Sequence, residues 1–176
     1  MMQPRGDNRF GAWRIGAAAL LAVGVALQSA VIMRATERKP LPAFTVSASS
    51  GQPTASGTVS GEGRSLIVYV TPGNTSCDRL LAALIEWRSD ALLNRLVVIV
   101  AGDLEAARTY ALARVGSEGT AYRWYADVDG QARTALDLRD GPALVGIDKG
   151  MVEWSLTGVL NAPAAVESVV KNWLEQ

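Results

Sequence analysis

The sequence contains no histidine and a single cysteine, Cys77. These two shortages exclude several kinds of site within one chain: a disulfide, a zinc site built from histidine and cysteine, and a Ser-His-Asp or Cys-His catalytic pair. An excess of charge is also lacking, because 17 basic side chains balance 17 acidic ones. A neutral chain without a basic stripe does not favour DNA or RNA. We therefore expect no nucleic-acid partner, no metal and no other cofactor.

Charge is absent altogether from the nineteen residues 15–33, which read IGAAALLAVGVALQSAVIM and lie between Arg14 and Arg34. A helix of that length is about 28 Å long, close to the ~30 Å hydrocarbon core of a bilayer. The run therefore predicts a transmembrane signal anchor. A cleaved signal peptide is one alternative, but it usually has a shorter apolar region and a clearer cleavage site. A buried helix of a soluble protein is the other, although this segment lacks the polar stripe of a surface helix.

The predicted anchor divides the chain into four parts. These are a cytoplasmic N-terminal tail at 1–14, the span at 15–33, a linker at 34–42 and a body at 43–176. Three basic residues flank the span on each side, so the positive-inside count is tied. The short tail and the large body favour a cytoplasmic tail and an external domain. The body is long enough for one hydrophobic core.

Within the body, continuous apolar runs alternate with stretches of helical spacing. Strands are predicted at 44–46, 66–70, 96–100 and 122–126, with a weak hairpin near Gly51 and a tight hairpin over 143–148 and 151–156. Helices are predicted from Cys77 to Leu93, at 104–115 with Tyr110 and Leu112 facing inward, at 131–138 and at 164–174. This order predicts a three-layer α/β domain with a central mixed sheet and helices on both faces.

Three segments of the body resemble a known family. They are LPAFTV at 41–46 followed by Gly51-Gln52-Pro53, RSLIVYVTPGNTSCDRL at 64–80, and GPALVGIDKG at 141–150. Together they resemble the thioredoxin-like superfamily, in its membrane-anchored TlpA-like and redoxin branch, over residues 41–176. The resemblance implies a thioredoxin-like domain behind the anchor, in the inner membrane of a bacterium and facing the periplasm or cell exterior. It also implies a cis peptide bond before Pro142, beside the active loop.

The active-loop motif of that family is incomplete in this chain. Its C-x-x-C is represented by Asn74-Thr75-Ser76-Cys77, so the resemblance gives Cys77 the resolving position and Asn74 the position of the nucleophile. Thiol-disulfide exchange requires an attacking thiolate and a second thiol that releases it. A helix N-terminus lowers a thiol pKa, but the neighbouring Asp78 opposes thiolate formation. We predict a buried structural Cys77, with a reactive thiol as the alternative.

Two further motifs are weak. A peroxidase loop of the form P-x-x-x-T-x-x-C does not fit, because Pro72 lies five residues before Cys77 and position 74 is asparagine. The run Asp127-Val128-Asp129-Gly130 is similar to a calcium loop but lacks the downstream ligands and the terminal glutamate. It predicts a turn with Asp129 or Gly130 as its pivot.

The run Tyr122-Arg123-Trp124-Tyr125 is the candidate partner-contact surface. Tyrosine, tryptophan and arginine are the residue types enriched at binding hot spots. Packing of the aromatic side chains into the core is the alternative interpretation.

Two functions are consistent with these observations. The first is a membrane-anchored accessory subunit that binds a protein partner in a cell-envelope complex and carries no complete dithiol site. The second is a one-cysteine thiol-disulfide oxidoreductase, or a redoxin-type assembly factor, that uses Cys77. The missing thiol at Asn74 argues against the second function.

The anchor leads to a prediction about fractionation. The protein should stay with the membrane fraction in high salt and should require detergent for extraction, because a nineteen-residue apolar span is not held by surface charge. Amino-terminal sequencing of the extracted protein should find the original N-terminus. Recovery of a soluble form beginning near Val31 would show that the segment is a cleaved signal peptide.

Overall fold

A computed structural model of the chain describes residues 34–87, 92, 94–115, 123–139, 141–158 and 163–175. Eight strands form one mixed sheet in the order β1-β8-β7-β4-β5-β6-β2-β3. The strands are β1 (Arg34–Pro40), β2 (Thr45–Ala48), β3 (Pro53–Ala55), β4 (Arg64–Val70), β5 (Leu96–Ala101), β6 (Arg123–Asp127), β7 (Ala143–Asp148) and β8 (Met151–Thr157). The helices are α1 (Ser56–Ser60), α2 (Thr75–Glu86), α3 (Leu104–Val115), α4 (Gln131–Ala135) and α5 (Pro163–Glu175).

The central strands are parallel and the flanking ones antiparallel. Strand β4 pairs in parallel with β5, and β5 pairs in parallel with β6. On its other side β4 pairs antiparallel with β7, which forms the predicted hairpin with β8. The weak hairpin predicted near Gly51 is present as the antiparallel pair β2–β3. The predicted mixed sheet is therefore confirmed.

The sheet separates two hydrophobic clusters, as a three-layer domain requires. Helices α2, α3 and α5 cover one face, where Leu81 and Leu84 of α2 are fully or almost fully buried. Helices α1 and α4 cover the other face, where Val59 and Ala132 are fully buried. Helices therefore lie on both faces, as the sequence predicted.

The N-terminal segment differs from the sequence prediction. Residues 34–42 were predicted to be a linker, whereas Arg34–Pro40 form β1 and pair antiparallel with β8. A bulge interrupts this pairing, Arg38 forms an ion pair with Glu153, and the Leu41 N–H donates to the Gly150 carbonyl at 2.8 Å. Charged residues and a proline are tolerated here because β1 is an edge strand.

The predicted span at 15–33 lies outside the described residues. Across the part of the chain that the structure describes, no helix is both long and apolar enough to cross a bilayer.

One inward-facing residue of α3 was predicted incorrectly. Tyr110 is buried, as predicted, but Leu112 is 59% exposed. The buried stripe of α3 consists of Ala107, Tyr110 and Ala111, which follow the spacing of one helix face. Leu112 lies one residue beyond that stripe and therefore faces outward.

Gly146 lies in close contact with an aromatic ring within the sheet. It lies opposite Trp154 in the β7–β8 pair, and a Cβ added at Gly146 would be 2.3 Å from Cε2 of the Trp154 ring. The same ring packs edge-on against Trp173 of α5, with ring centroids 5.4 Å apart. A glycine in a strand interior allows this close approach of a ring to the backbone. Gly146 thus helps to fix α5 against the sheet.

This contact predicts a position-specific loss of stability. Gly146→Ala should lower the free energy of unfolding by about 1–3 kcal/mol, because the new methyl group must displace the Trp154 ring or the strand. Gly57→Ala is the matched control, since a Cβ there meets nothing within 4 Å. Thermal unfolding, monitored by tryptophan fluorescence, measures the stability of both variants. Equal melting temperatures for the two variants would contradict the packing argument.

Candidate functional site

The candidate site begins where β4 ends and the chain turns into α2. Asn74 is the N-cap of α2: its side-chain oxygen accepts from the backbone N–H of Ser76 at 2.9 Å and of Cys77 at 3.3 Å. Asparagine is among the best N-cap residues because it satisfies N–H groups that have no helical partner. Thr75 is exposed and Ser76 half-buried. The position that the resemblance gives to the nucleophile is thus occupied by a helix cap.

Cys77 lies in the first turn of α2 and is fully buried. Its side chain packs in the same cluster as Leu80, Leu81 and the residues of β4 that face α2. The sulfur accepts a hydrogen bond from the backbone N–H of Thr71 at 3.3 Å. Cys77 is a free cysteine, since the chain has no other. The thiol therefore contributes to the core and closes the loop onto the helix.

The surroundings of Cys77 include groups that raise the pKa of its thiol and one that lowers it. Burial raises the pKa of the thiol above its usual value, and the Asp78 carboxylate raises this pKa further. The hydrogen bond from Thr71 lowers the pKa because it stabilises the thiolate. Burial is the largest of the three effects. Cys77 is therefore a protonated thiol at neutral pH, the form that is a poor nucleophile.

Pro142 has the predicted position but not the predicted conformation. It is buried and directly precedes Ala143, which pairs with Tyr69 near the end of β4. This register puts Pro142 at the end of the sheet that carries the loop. No peptide bond among the described residues is cis, so the predicted cis bond is wrong. Gly141 has φ 116°, a conformation open to glycine, and this allows the chain to turn into β7 with the trans bond that X-Pro favours.

A second group of side chains lies beside the loop and was not predicted as a unit. Asp78 accepts a hydrogen bond from the Tyr110 hydroxyl at 2.8 Å and forms an ion pair with Arg114. The Arg114 guanidinium also lies over the Tyr110 ring, 5.8 Å from its centroid. Burial and the bond to Asp78 raise the pKa of Tyr110 above its usual range. The signal in the sequence was the tyrosine itself, because a buried hydroxyl needs a partner.

This cluster forms one end of an open groove of about 560 Å³ between the loop and α3. Pro72 contributes the loop wall, and Tyr110 and Arg114 contribute to the helix wall. Neither Cys77 nor Pro142 lines it. The groove therefore offers a surface for contact but no route to the thiol.

The predicted contact run, Tyr122 to Tyr125, does not form a single surface. Tyr122 lies outside the described residues. In β6 the side chains alternate: Trp124 packs against the cluster below α2, whereas Tyr125 is buried in the cluster on the other face. Arg123 is exposed. A strand period of two residues explains this division, and a role of the run in partner binding stays a prediction.

The turn after β6 holds a buried carboxylate. Asp127 is 2% exposed and accepts hydrogen bonds from the Tyr69 hydroxyl and from the N–H groups of Ala132 and Arg133, each at 3.0 Å. It therefore caps α4 and ties that helix to β4. Gly130 has φ 65° and provides the turn. Among the described residues, no group of three acidic or cysteine side chains could hold a metal ion.

Comparison with known proteins gives matches to solved structures only. No protein-family model matches the chain, and no curated protein matches it. A secreted Mycobacterium tuberculosis disulfide oxidoreductase, homologous to E. coli DsbE, has a TM-score of 0.58 at 17% identity, covering 73% of this chain and 95% of that one. Peroxidoxin BcpB from M. tuberculosis has a TM-score of 0.62 at 11% identity, covering 78% and 95%.

A third similar structure is the exposed lipoprotein thioredoxin of Streptococcus pneumoniae. Its TM-score is 0.54 at 14% identity, with 74% of this chain and 98% of that chain covered. At such low identities these likenesses concern the fold and not the activity. The chain has a thioredoxin-like α/β fold and a single cysteine.

Proposed function

We propose that this chain is a membrane-anchored accessory subunit that binds a protein partner in a cell-envelope complex and performs no dithiol chemistry of its own. The observation that carries the proposal is the burial of Cys77, the only thiol, behind a capped helix end. Thiol exchange needs an accessible thiolate and a second thiol for release. This chain supplies neither, so its function is assigned to its surface and to its anchor.

The proposed location follows from the sequence. The apolar run at 15–33 supports a single membrane span, and the resemblance to the TlpA-like branch supports a bacterial inner membrane with the domain in the periplasm or cell exterior. An anchored domain with an exposed groove is suited to docking, since the membrane confines it near a partner and raises their effective concentration.

The second candidate function is a one-cysteine oxidoreductase. The Thr71 N–H donates to the Cys77 sulfur, a contact that stabilises a thiolate, and one structurally similar protein is itself a disulfide oxidoreductase. Burial opposes this role more strongly than the hydrogen bond supports it. Two experiments separate the candidates.

The first experiment measures the reactivity of the thiol. Cys77 should react with a disulfide reagent at least about tenfold more slowly in the folded chain than in urea, because the sulfur must first be exposed by opening of the fold. Raising the pH from 7 to 9 should narrow this difference, since the thiol ionises more readily once the fold has opened and its ionisation near pH 8.5 favours the open chain.

The same pKa shift predicts how stability depends on pH. The thiol ionises more readily in the unfolded chain than in the folded one, so its contribution is complete below about pH 8.5 and is lost as the pH rises further. The wild type should therefore lose more stability in alkali than Cys77→Ser does.

Equal labelling rates in the folded and unfolded chains would contradict the buried-thiol assignment.

The second experiment tests the function. In cells that lack the natural copy, Cys77→Ser should restore the phenotype as well as the wild type does, and the full chain in mild detergent should not reduce insulin. Serine retains an acceptor for the Thr71 N–H at nearly constant volume, so only a modest loss of stability is expected. Cys77→Ala is a second thiol-free variant in which a buried hydroxyl cannot be the cause of failure.

The two outcomes of this experiment are distinct. Insulin reduction by the wild type that both thiol-free variants lose, together with failed complementation, would support the one-cysteine oxidoreductase and reject the accessory subunit. Complementation by both variants would support the proposal.

A further inference from the structure

The groove beside the loop has an apolar floor and an acidic end. Ala106 and Ala113 line it, two helical turns apart on α3 and both exposed. Two helical turns correspond to about 10 Å, the length of a short peptide segment. Asp103 and Glu105 line the end nearer the start of α3. The groove thus combines a small apolar surface with two carboxylates.

The carboxylates at that end are poorly compensated. Asp103 accepts from the Ala106 N–H at 2.8 Å, and no cation among the described residues lies within ion-pair distance of it. Glu105 lies 3.7 Å from Arg108, a long contact between exposed side chains that contributes little. The cation at the other end, Arg114, is already paired with Asp78. The charged side chains that line the groove therefore sum to one negative charge, with Asp103 and Glu105 at one end and Arg114 at the other.

We propose that this groove binds a segment of a partner protein that presents an apolar side chain close to a lysine or arginine. The apolar side chain would lie on the alanines of α3 and against Pro72, and the cation would lie between Asp103 and Glu105. This inference rests on the proposed partner-binding function and identifies the surface and the chemistry of the partner.

An exposed leucine extends the same surface. Leu112 is 59% exposed, and on the helix it lies one turn beyond Thr109, which lines the groove. A single exposed leucine is ordinary on a protein surface, but one that continues an apolar groove enlarges a docking site. The groove and Leu112 together form the proposed contact surface.

Charge complementarity distinguishes this occupant from two others. Anionic lipid headgroups would be repelled by Asp103 and Glu105. An acidic peptide would meet the same carboxylates and find Arg114 already paired. A basic, apolar segment makes a favourable contact with the alanines of α3 and another with the two carboxylates.

Photo-crosslinking from the groove tests the proposal in the full chain, in the membranes of its native cells. The crosslinking amino acid p-benzoylphenylalanine replaces Ala113, and in a control chain it replaces Ala165, an exposed alanine of α5. Ala165 belongs to a different helix and does not line the groove, so it serves as the control position. Mass spectrometry of the adduct then identifies the crosslinked segment.

We expect a discrete adduct from position 113 that is absent from position 165. The captured segment should contain an apolar residue within four positions of a lysine or arginine. Asp103→Asn and Glu105→Gln together should reduce the yield about twofold to tenfold, the effect of removing two exposed charge pairs. Asp103→Asn retains the acceptor for the Ala106 N–H, so the helix start is preserved. Glu175→Gln, an exposed carboxylate of α5, should leave the yield unchanged.

Several results would overturn the proposal. These are the absence of an adduct from position 113, the same adduct from both positions, an adduct with lipid or with a second copy of this chain, and a captured segment without a basic residue. An unchanged yield after neutralisation of both carboxylates would overturn it as well.

Failure of the groove and failure of the proposed function can be told apart. If thiol-free variants fail to complement but position 113 still captures the expected segment, the groove stands and the thiol-free role is rejected. If they complement while position 113 captures nothing, the accessory role stands and the groove is rejected.

Discussion

Burial of β4 on both faces is the constraint on which the rest of the domain depends. Leu66, Val68 and Val70 contribute to the cluster beneath α2, whereas Ile67 and Tyr69 contribute to the opposite cluster. The strand lies between parallel β5 and antiparallel β7, so it is paired on both sides from Leu66 to Tyr69. The end of the strand and the loop after it make two separate hydrogen bonds. Tyr69 reaches Asp127 and holds α4, and the next loop places Thr71 against the Cys77 sulfur.

The loop after β4 combines a single buried thiol with a well-capped helix end. With asparagine at position 74, the first turn of α2 obtains two side-chain hydrogen bonds, a cap whose loss typically costs about 1 kcal/mol. Cys77 then lies inside the turn, where burial raises its pKa. Asp78 in that turn interacts favourably with the helix dipole. It also forms an ion pair with Arg114 and accepts a hydrogen bond from Tyr110. Asn74 and Asp78, on either side of the thiol in the sequence, are thus both engaged in holding the helix.

Much of the fold could be predicted because its signals are local. The apolar runs of β4 and β5 directly predict strands. The glycine-containing turn between β7 and β8 directly predicts a hairpin. The pairing of β1 could not be predicted, since its charged sequence is acceptable only because β1 is an edge strand that pairs with β8 alone. The trans bond before Pro142 depends on how Gly141 turns the chain. The packing of Trp124 and Tyr125 on opposite faces of the sheet could not be predicted from hot-spot composition, which says nothing of strand alternation.

Helix α3 carries the proposed binding surface, and neither Asn74 nor Cys77 lines the groove. Its buried stripe contains two alanines and one tyrosine, so little of the helix is needed for the core and much of it faces outward. Ala106 and Ala113 can therefore be changed with little effect on folding, whereas changes at Asn74 or Cys77 alter the cap and the core of α2. The proposed binding surface and the cap and core of α2 thus depend on different residues. A surface that can vary independently of the core is the part of this molecule best able to determine a partner.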